Sequence, residues 1–352
     1  MRAEAKKLLF NGAFLPAMPL VLDENRKFDE AGQRRLIRYY LAAGADGVAA
    51  GVHTTQFAIR NPEIGLLEPV LRTAAEELAA YREKTGREVL AVAGVCGPEE
   101  QAVREAELAR SLGYDAVLVS PGGLGGLSEE ELLHRTAAVA EVLDVVGFYL
   151  QPAVGGRVFS YAYWEKLCAI PNVAAVKCAA FDRYLTLDVA RAIAFAPHEV
   201  ALYTGNDDNI LIDLLTEYRF RGENGETVSV RTRGGLLGHW AAWTHAAVEI
   251  FHKIKALAPG SPVDPALLTL AAQVTDVNSA FFDTANNFRG YIAGIHEALR
   301  REGIMKGIWC LDPDETLSPG QAEAIDRVHA MYPHLHDDAF AKAFLASEEN
   351  RT

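Results

Sequence analysis

The chain has 352 residues, 50% of them hydrophobic, which is enough for one large core or two modest ones. A formal net charge of −13 excludes the strongly basic classes that bind nucleic acid or anionic membrane surfaces. Four cysteines (Cys96, Cys168, Cys178, Cys310) show neither a CxxC pair nor metal-ligand spacing, so no disulfide framework is expected. No apolar stretch has the form of a signal peptide or the length of a membrane span, and the expectation is a soluble, cytoplasmic protein.

Short apolar runs alternate with amphipathic stretches of helical length from the first residues to about 258. The apolar runs lie near 8–20, 47–53, 88–96, 116–121, 145–152, 173–179, 199–206 and 227–238. Helical patterns fill 29–44, 63–85, 98–113, 128–143, 160–170, 185–196, 207–218 and 239–257. Pro62 and Pro98 sit at expected first helical positions, and Ser128-Glu-Glu-Glu131 has the spacing of a capping box. Gly44, Gly86 and Gly113 fall where helices should stop.

Eight strand–helix repeats predict parallel strands with right-handed crossovers, and eight such strands close a (β/α)8 TIM barrel. No G-x-G-x-x-G opens the first helix, which argues against a doubly wound dinucleotide fold. Alternating residues around Asn224-Gly225 predict a β-hairpin insertion near 218–232. Beyond 258 the segments 264–281, 284–302, 319–331 and 337–348 read as helices, so the expected division is a barrel over 1–258 and a C-terminal helical extension over 259–352.

A barrel of this kind holds its active site at the C-terminal ends of the strands. Lys177 is there, the only charged residue in the run Ile170–Phe181. Burial lowers the pKa of an amine, and a neutral lysine is a nucleophile that forms Schiff bases with carbonyl compounds. The fifth strand ends in Phe148-Tyr149-Leu-Gln-Pro152, the second in His53-Thr54-Thr55-Gln56, and the seventh in Gly205-Asn206-Asp207-Asp208.

Taken together these motifs resemble the dihydrodipicolinate synthase / N-acetylneuraminate lyase family of class I pyruvate-type aldolases, over about residues 8 to 300. Gly12 with Pro16–Pro19 is similar to the family's opening strand, and Tyr149 matches its Tyr-x-x-Pro element. Lys177 follows 28 positions later (177 − 149), the separation of the family's proton-relay tyrosine and its Schiff-base lysine. The resemblance implies Lys177 as imine nucleophile and Tyr149 as proton relay. It implies Thr54, Thr55, Gly205 and Asn206 as substrate-binding residues and a 2-oxo acid as the small-molecule partner. His53, which departs from the family motif, is a further candidate for binding a substrate hydroxyl or for acid–base work, with a structural role left open. No cofactor is implied, and relatives of this kind form homotetramers or dimers.

The departures are specific. His53 replaces the usual first hydroxyl of the second-strand motif, and Gln56 replaces its glutamate. Val154 stands near the position of the arginine that holds a second carboxylate in the synthase, with Arg157 a little beyond. Gly122 and Gly123 occupy the place of a tyrosine after the fourth strand. These losses argue against dihydrodipicolinate synthase itself. They leave open a keto-deoxy sugar acid dehydratase, a hydratase-aldolase, or a non-catalytic barrel that binds a small acid. His239, His245 and His252 lack the i, i+4 spacing of a helical metal pair, so no metal is expected.

Overall fold

The computed structural model describes residues 1–349. In chain order its first half comprises α1 (Ala3–Asn11), β1 (Phe14–Pro16), α2 (Glu30–Ala43), β2 (Gly47–Ala50), α3 (Leu67–Thr85), β3 (Leu90–Val95), α4 (Glu99–Ser111), β4 (Ala116–Val119) and α5 (Glu129–Ala140). Then follow β5 (Asp144–Leu150), α6 (Tyr161–Cys168), β6 (Val173–Ala179), α7 (Arg183–Ala194), β7 (Ala201–Thr204) and α8 (Ile210–Leu215). A hairpin of β8 (Glu217–Arg221) and β9 (Thr227–Leu237) leads to α9 (Thr244–Lys255), α10 (Ala266–Phe281), α11 (Tyr291–Arg301), α12 (Gln321–Met331) and α13 (Asp338–Glu349).

Strands β1 to β7 and the second half of β9 pair in parallel in the order β1-β9-β7-β6-β5-β4-β3-β2. The bridge from Ala17 to Ala49 joins β1 to β2 and completes the (β/α)8 ring. The strands are short and buried on both faces, which is why they read as plain apolar runs. The expected punctuation acts locally. Ser128 Oγ accepts from the Glu131 N–H at 3.2 Å while Glu131 accepts from the Ser128 N–H at 2.7 Å. Gly86 ends α3 at φ 68°, a left-handed position open to glycine.

Apolar side chains divide into two layers. One fills the barrel, with Leu15, Val92, Leu118, Val146, Phe148 and Leu236 among its members. The larger lies between strands and helices and includes Val117, Tyr149, Trp164, Val176 and Cys178.

Several expectations need correction. The run 8–20 begins in a helix, because α1 takes residues 3–11 and leaves only 14–16 as strand. Ala5 and Leu9 of α1 join the inner layer, and Leu9 O accepts from the Tyr203 hydroxyl at 2.7 Å. The helix thus seals the end of the barrel where the strands begin. Pro62 starts no helix; a 3-10 turn at Phe57–Arg60 precedes it and α3 begins at Leu67. The segment 284–302 is a 3-10 turn and then the shorter α11, since Asp283, Asn287 and Phe288 take positive φ.

The helices after residue 258 fold back along the barrel. Arg38 of α2 pairs with Glu348 of α13 at 2.7 Å, and the Tyr39 hydroxyl donates to Asp337 at 2.8 Å. Near the mouth, Asn278 Nδ2 of α10 donates to Asp207 O at 2.7 Å, and Leu311 N donates to Gln56 Oε1 at 2.6 Å.

Candidate active site

Strand alternation decides which residues reach the barrel's interior. In the register of β5 and β6, Phe148 pairs with Lys177 and Tyr149 with Cys178. Successive side chains point to opposite faces, so Lys177 and Phe148 face inward. Lys177 Nζ lies 4.4 Å from the centroid of the Phe148 ring. The lysine is 8% exposed and opens into a cleft of about 380 Å³, mouth included, at the C-terminal ends of the strands.

Burial pushes the Lys177 ammonium down to about 8, against a smaller upward pull from Asp207. Burial pushes Asp207 up to about 7, with Lys177 holding it back. Asp207 Oδ1 accepts from the His239 N–H at 3.3 Å. Near neutral pH a fraction of Lys177 is therefore a free amine.

Gly205 explains how the lysine fits. A Cβ there would lie 2.5 Å from Lys177 Cε and 2.8 Å from Ala179 Cβ, so the missing side chain makes room for the lysine stem. The adjacent Asn206 does not reach the cleft. Its Oδ1 accepts from the Phe181 N–H at 2.9 Å and its Nδ2 donates to Asp213 at 2.8 Å, an arrangement that fixes the loop after β7.

The second-strand cluster divides as well. His53 and Thr54 line the cleft. Burial, with the nearby charge of Lys177, drives His53 down to about 4, so its imidazole is neutral at physiological pH. Thr54 Oγ donates to Ala17 O at 2.8 Å, and Thr55 Oγ donates to Met18 O at 2.6 Å. Both hydroxyl protons are thus committed to the chain after β1. His53 and Thr54 open a 3-10 turn, whose first N–H groups have no partner within the turn.

Tyr149 is not brought to Lys177. Its ring stacks on Trp164 with centroids 4.9 Å apart, and its hydroxyl is 3.5 Å from Phe159 N in the layer between sheet and helices. The separation of 28 positions sets it opposite Cys178, whose side chain also faces outward. Arg157 is likewise elsewhere, donating to Leu127 O at 2.6 Å. The sequence did not single out Asp207, whose charge acts on Lys177 from beside the cleft, or Tyr291, which lines it. Asp207 lay inside a recognised segment but beside the residues chosen from it. Tyr291 belongs to a stretch read only as helix, and no sequence signal marked it.

Away from the cleft, His329, His336 and Asp338 bring ligand-type atoms within 4.8 Å of one another. The two imidazoles stack at 4.1 Å with 9° between their planes. A metal ion lies close to the plane of each ring that binds it, so this arrangement is stacked rather than convergent.

Fold and cleft together define a (β/α)8 barrel with a buried amine in its mouth. The chain belongs to the dihydrodipicolinate synthetase family, which it matches over residues 11–328. It is 29% identical over 204 residues to an N-acetylneuraminate lyase of Citrobacter koseri, covering 57% of this chain and 64% of the lyase. It is 30% identical over 214 residues to a 4-hydroxy-tetrahydrodipicolinate synthase of Moorella thermoacetica, covering 58% and 66%. The matched stretch thus spans just under two thirds of either relative. The fold is shared with the N-acetylneuraminate lyase from Fusobacterium nucleatum complexed with pyruvate (TM-score 0.71, 20% identity, 93% of this chain and 99% of that one). It is also shared with a dihydrodipicolinate synthase from Agrobacterium tumefaciens (TM-score 0.69, 19% identity, 93% and 99%). Among the described residues no helix is long and apolar enough to cross a membrane.

Proposed function

We propose that the protein is a lyase that forms an imine between Lys177 and a 2-oxo acid. The observation that carries this reading is the inward-facing, buried Lys177 at the barrel mouth, its amine pushed down to about 8. The neutral amine attacks the ketone, water departs, and the resulting iminium draws electrons from the adjacent carbon–carbon or carbon–oxygen bond. The N–H groups of His53 and Thr54 are suited to the substrate carboxylate, and neutral His53 to a substrate hydroxyl. Gly205, Asn206 and Thr55 act indirectly, by shaping the walls that hold Lys177 and the turn.

Among the described residues no arginine lines the cleft. That supports a partner without a second carboxylate, and so a reaction other than dihydrodipicolinate synthesis. Phe57 and Phe148 line the same cleft and favour an apolar aldehyde half, as in a hydratase-aldolase acting on an arylidene pyruvate.

The test is borohydride reduction in the presence of pyruvate, followed by peptide mapping. The expected result is one pyruvate-dependent mass adduct on Lys177, absent from Lys177→Ala. An adduct elsewhere, or none, overturns the reading.

A further inference from the structure

Imine chemistry needs a group that moves protons within reach of the amine, and Tyr149 lies on the far face of the sheet. The hydroxyls lining the cleft belong to Thr54, Ser120 and Tyr291. Thr54 is committed to Ala17 O, and both Thr54 and Ser120 are aliphatic alcohols, poor acids beside a phenol. Neutral His53 holds a proton too weakly to deliver one near neutral pH.

Tyr291 is placed differently. It opens α11, beyond the barrel strands, yet its ring enters the cleft 5.2 Å from the His53 ring and stacks on Phe282 at 4.4 Å. Its hydroxyl stands over Gly238: a Cβ on that glycine would lie 2.0 Å from Tyr291 Oη. Among the described residues no hydrogen-bond partner claims that hydroxyl. The inward slot on β5 beside Lys177 is filled by Phe148, which has no proton to give.

We propose that Tyr291, reaching the cleft from the C-terminal helices, is the catalytic proton-transfer residue of this site. The assignment rests on the Lys177 imine. As Lys177 adds to the ketone, the carbonyl oxygen takes the phenol proton and the phenolate takes one from the new ammonium, giving the carbinolamine. The phenol then protonates the carbinolamine hydroxyl, which leaves as water, and the nitrogen lone pair forms the iminium. The phenolate left behind accepts a proton, from C3 of pyruvate or from the C4 hydroxyl of an aldol. The C–H or C–C electrons move into the C2–C3 bond, leaving a neutral enamine. Burial and Asp207 keep the phenol protonated at rest, and the adjacent iminium charge offsets the cost of the phenolate when it forms.

Exchange of pyruvate C3 protons in D₂O reads this step without the second substrate. In the full chain, Tyr291→Phe keeps the ring and its stacking. It should lower the exchange rate at least about 100-fold, while long incubation with pyruvate and borohydride still labels Lys177. Tyr149→Phe should stay within a few-fold of wild type. Gly238→Ala, which displaces the hydroxyl, should lower exchange too, and adding it to Tyr291→Phe should cost little more. A labelled Lys177 with undiminished exchange in Tyr291→Phe, or an equal loss in Tyr149→Phe, overturns the tyrosine assignment alone. No adduct on wild-type Lys177 overturns the imine and this proposal together.

Discussion

Lys177 and Gly205 are fitted to each other: the lysine stem occupies the volume that any side chain at 205 would need, with Cε 2.5 Å from the position of a Cβ. The glycine that follows β7 therefore helps set the position of the Lys177 amine although it carries no functional group.

Gly205→Ala should accordingly displace the amine. Overpacking of this kind typically costs about 1–3 kcal/mol, and a nucleophile moved by an ångström loses far more in rate than in stability. The expected outcome is a modest drop in Tm with at least a tenfold slower borohydride-dependent labelling of Lys177, on the order of the penalty for misplacement. Labelling at the wild-type rate would show that the lysine does not depend on this space.

Asp207 raises the lysine's affinity for its proton, so its removal must act in the opposite sense. An amine with a pKa of about 8 is roughly one-tenth neutral at pH 7. In Asp207→Asn the pH midpoint for modification of Lys177 by an amine-selective reagent should move lower. The rate at pH 7 should rise, by at most about tenfold, the limit set by full neutralisation. A midpoint that stays put or rises would show that the carboxylate is too far away to matter.

Glu302, at the end of α11, is a liability elsewhere in the chain. It is 7% exposed, and neither carboxyl oxygen has a hydrogen-bond partner. Burial, then the charges of Asp337 and Asp338, pushes its carboxyl well above the usual range. The folded chain keeps this proton where the unfolded chain, with a pKa of about 4.3, has lost it. Stability from the neutral form is complete below that pH and declines as pH rises. Glu302→Gln should therefore raise Tm at pH 8, by a few degrees on the usual scale, and leave it unchanged at pH 4. Equal shifts at both pH values in thermal melts would refute the charge argument.

Most elements were legible because the barrel strands are runs buried on both faces and several helices carry their own caps or stops, as Ser128 does for α5 and Gly86 for α3. Helix α1 was hidden because its apolar residues run on into β1. Register was not legible. A period of two makes Phe148 and Tyr149 indistinguishable by pattern, since a one-residue slip exchanges the inner and outer faces. The separation of Tyr149 and Lys177 looked right along the chain, yet the β5–β6 pairing puts Phe148 opposite the lysine. Thr54 and Thr55 were visible as a polar cluster, but the direction of their hydroxyls depends on Ala17 and Met18 across a loop. Tyr291 enters from a separate part of the chain, through a turn in which Asp283, Asn287 and Phe288 take positive φ. Local sequence contains no statement of where such a turn will aim the next ring.

The helix α1 lies across the N-terminal end of the barrel, with Leu9 tied to Tyr203 and Ala5 among the interior side chains. A barrel closed at that end opens at the other, where Lys177 lies. On the imine mechanism proposed above, the first product of bond cleavage leaves through the cleft that Tyr291, His53 and Phe57 line, while the three-carbon fragment is still tethered to Lys177. On that mechanism traffic through the mouth is sequential, and the residues that narrow it act on the first product to leave as well as on the incoming substrate.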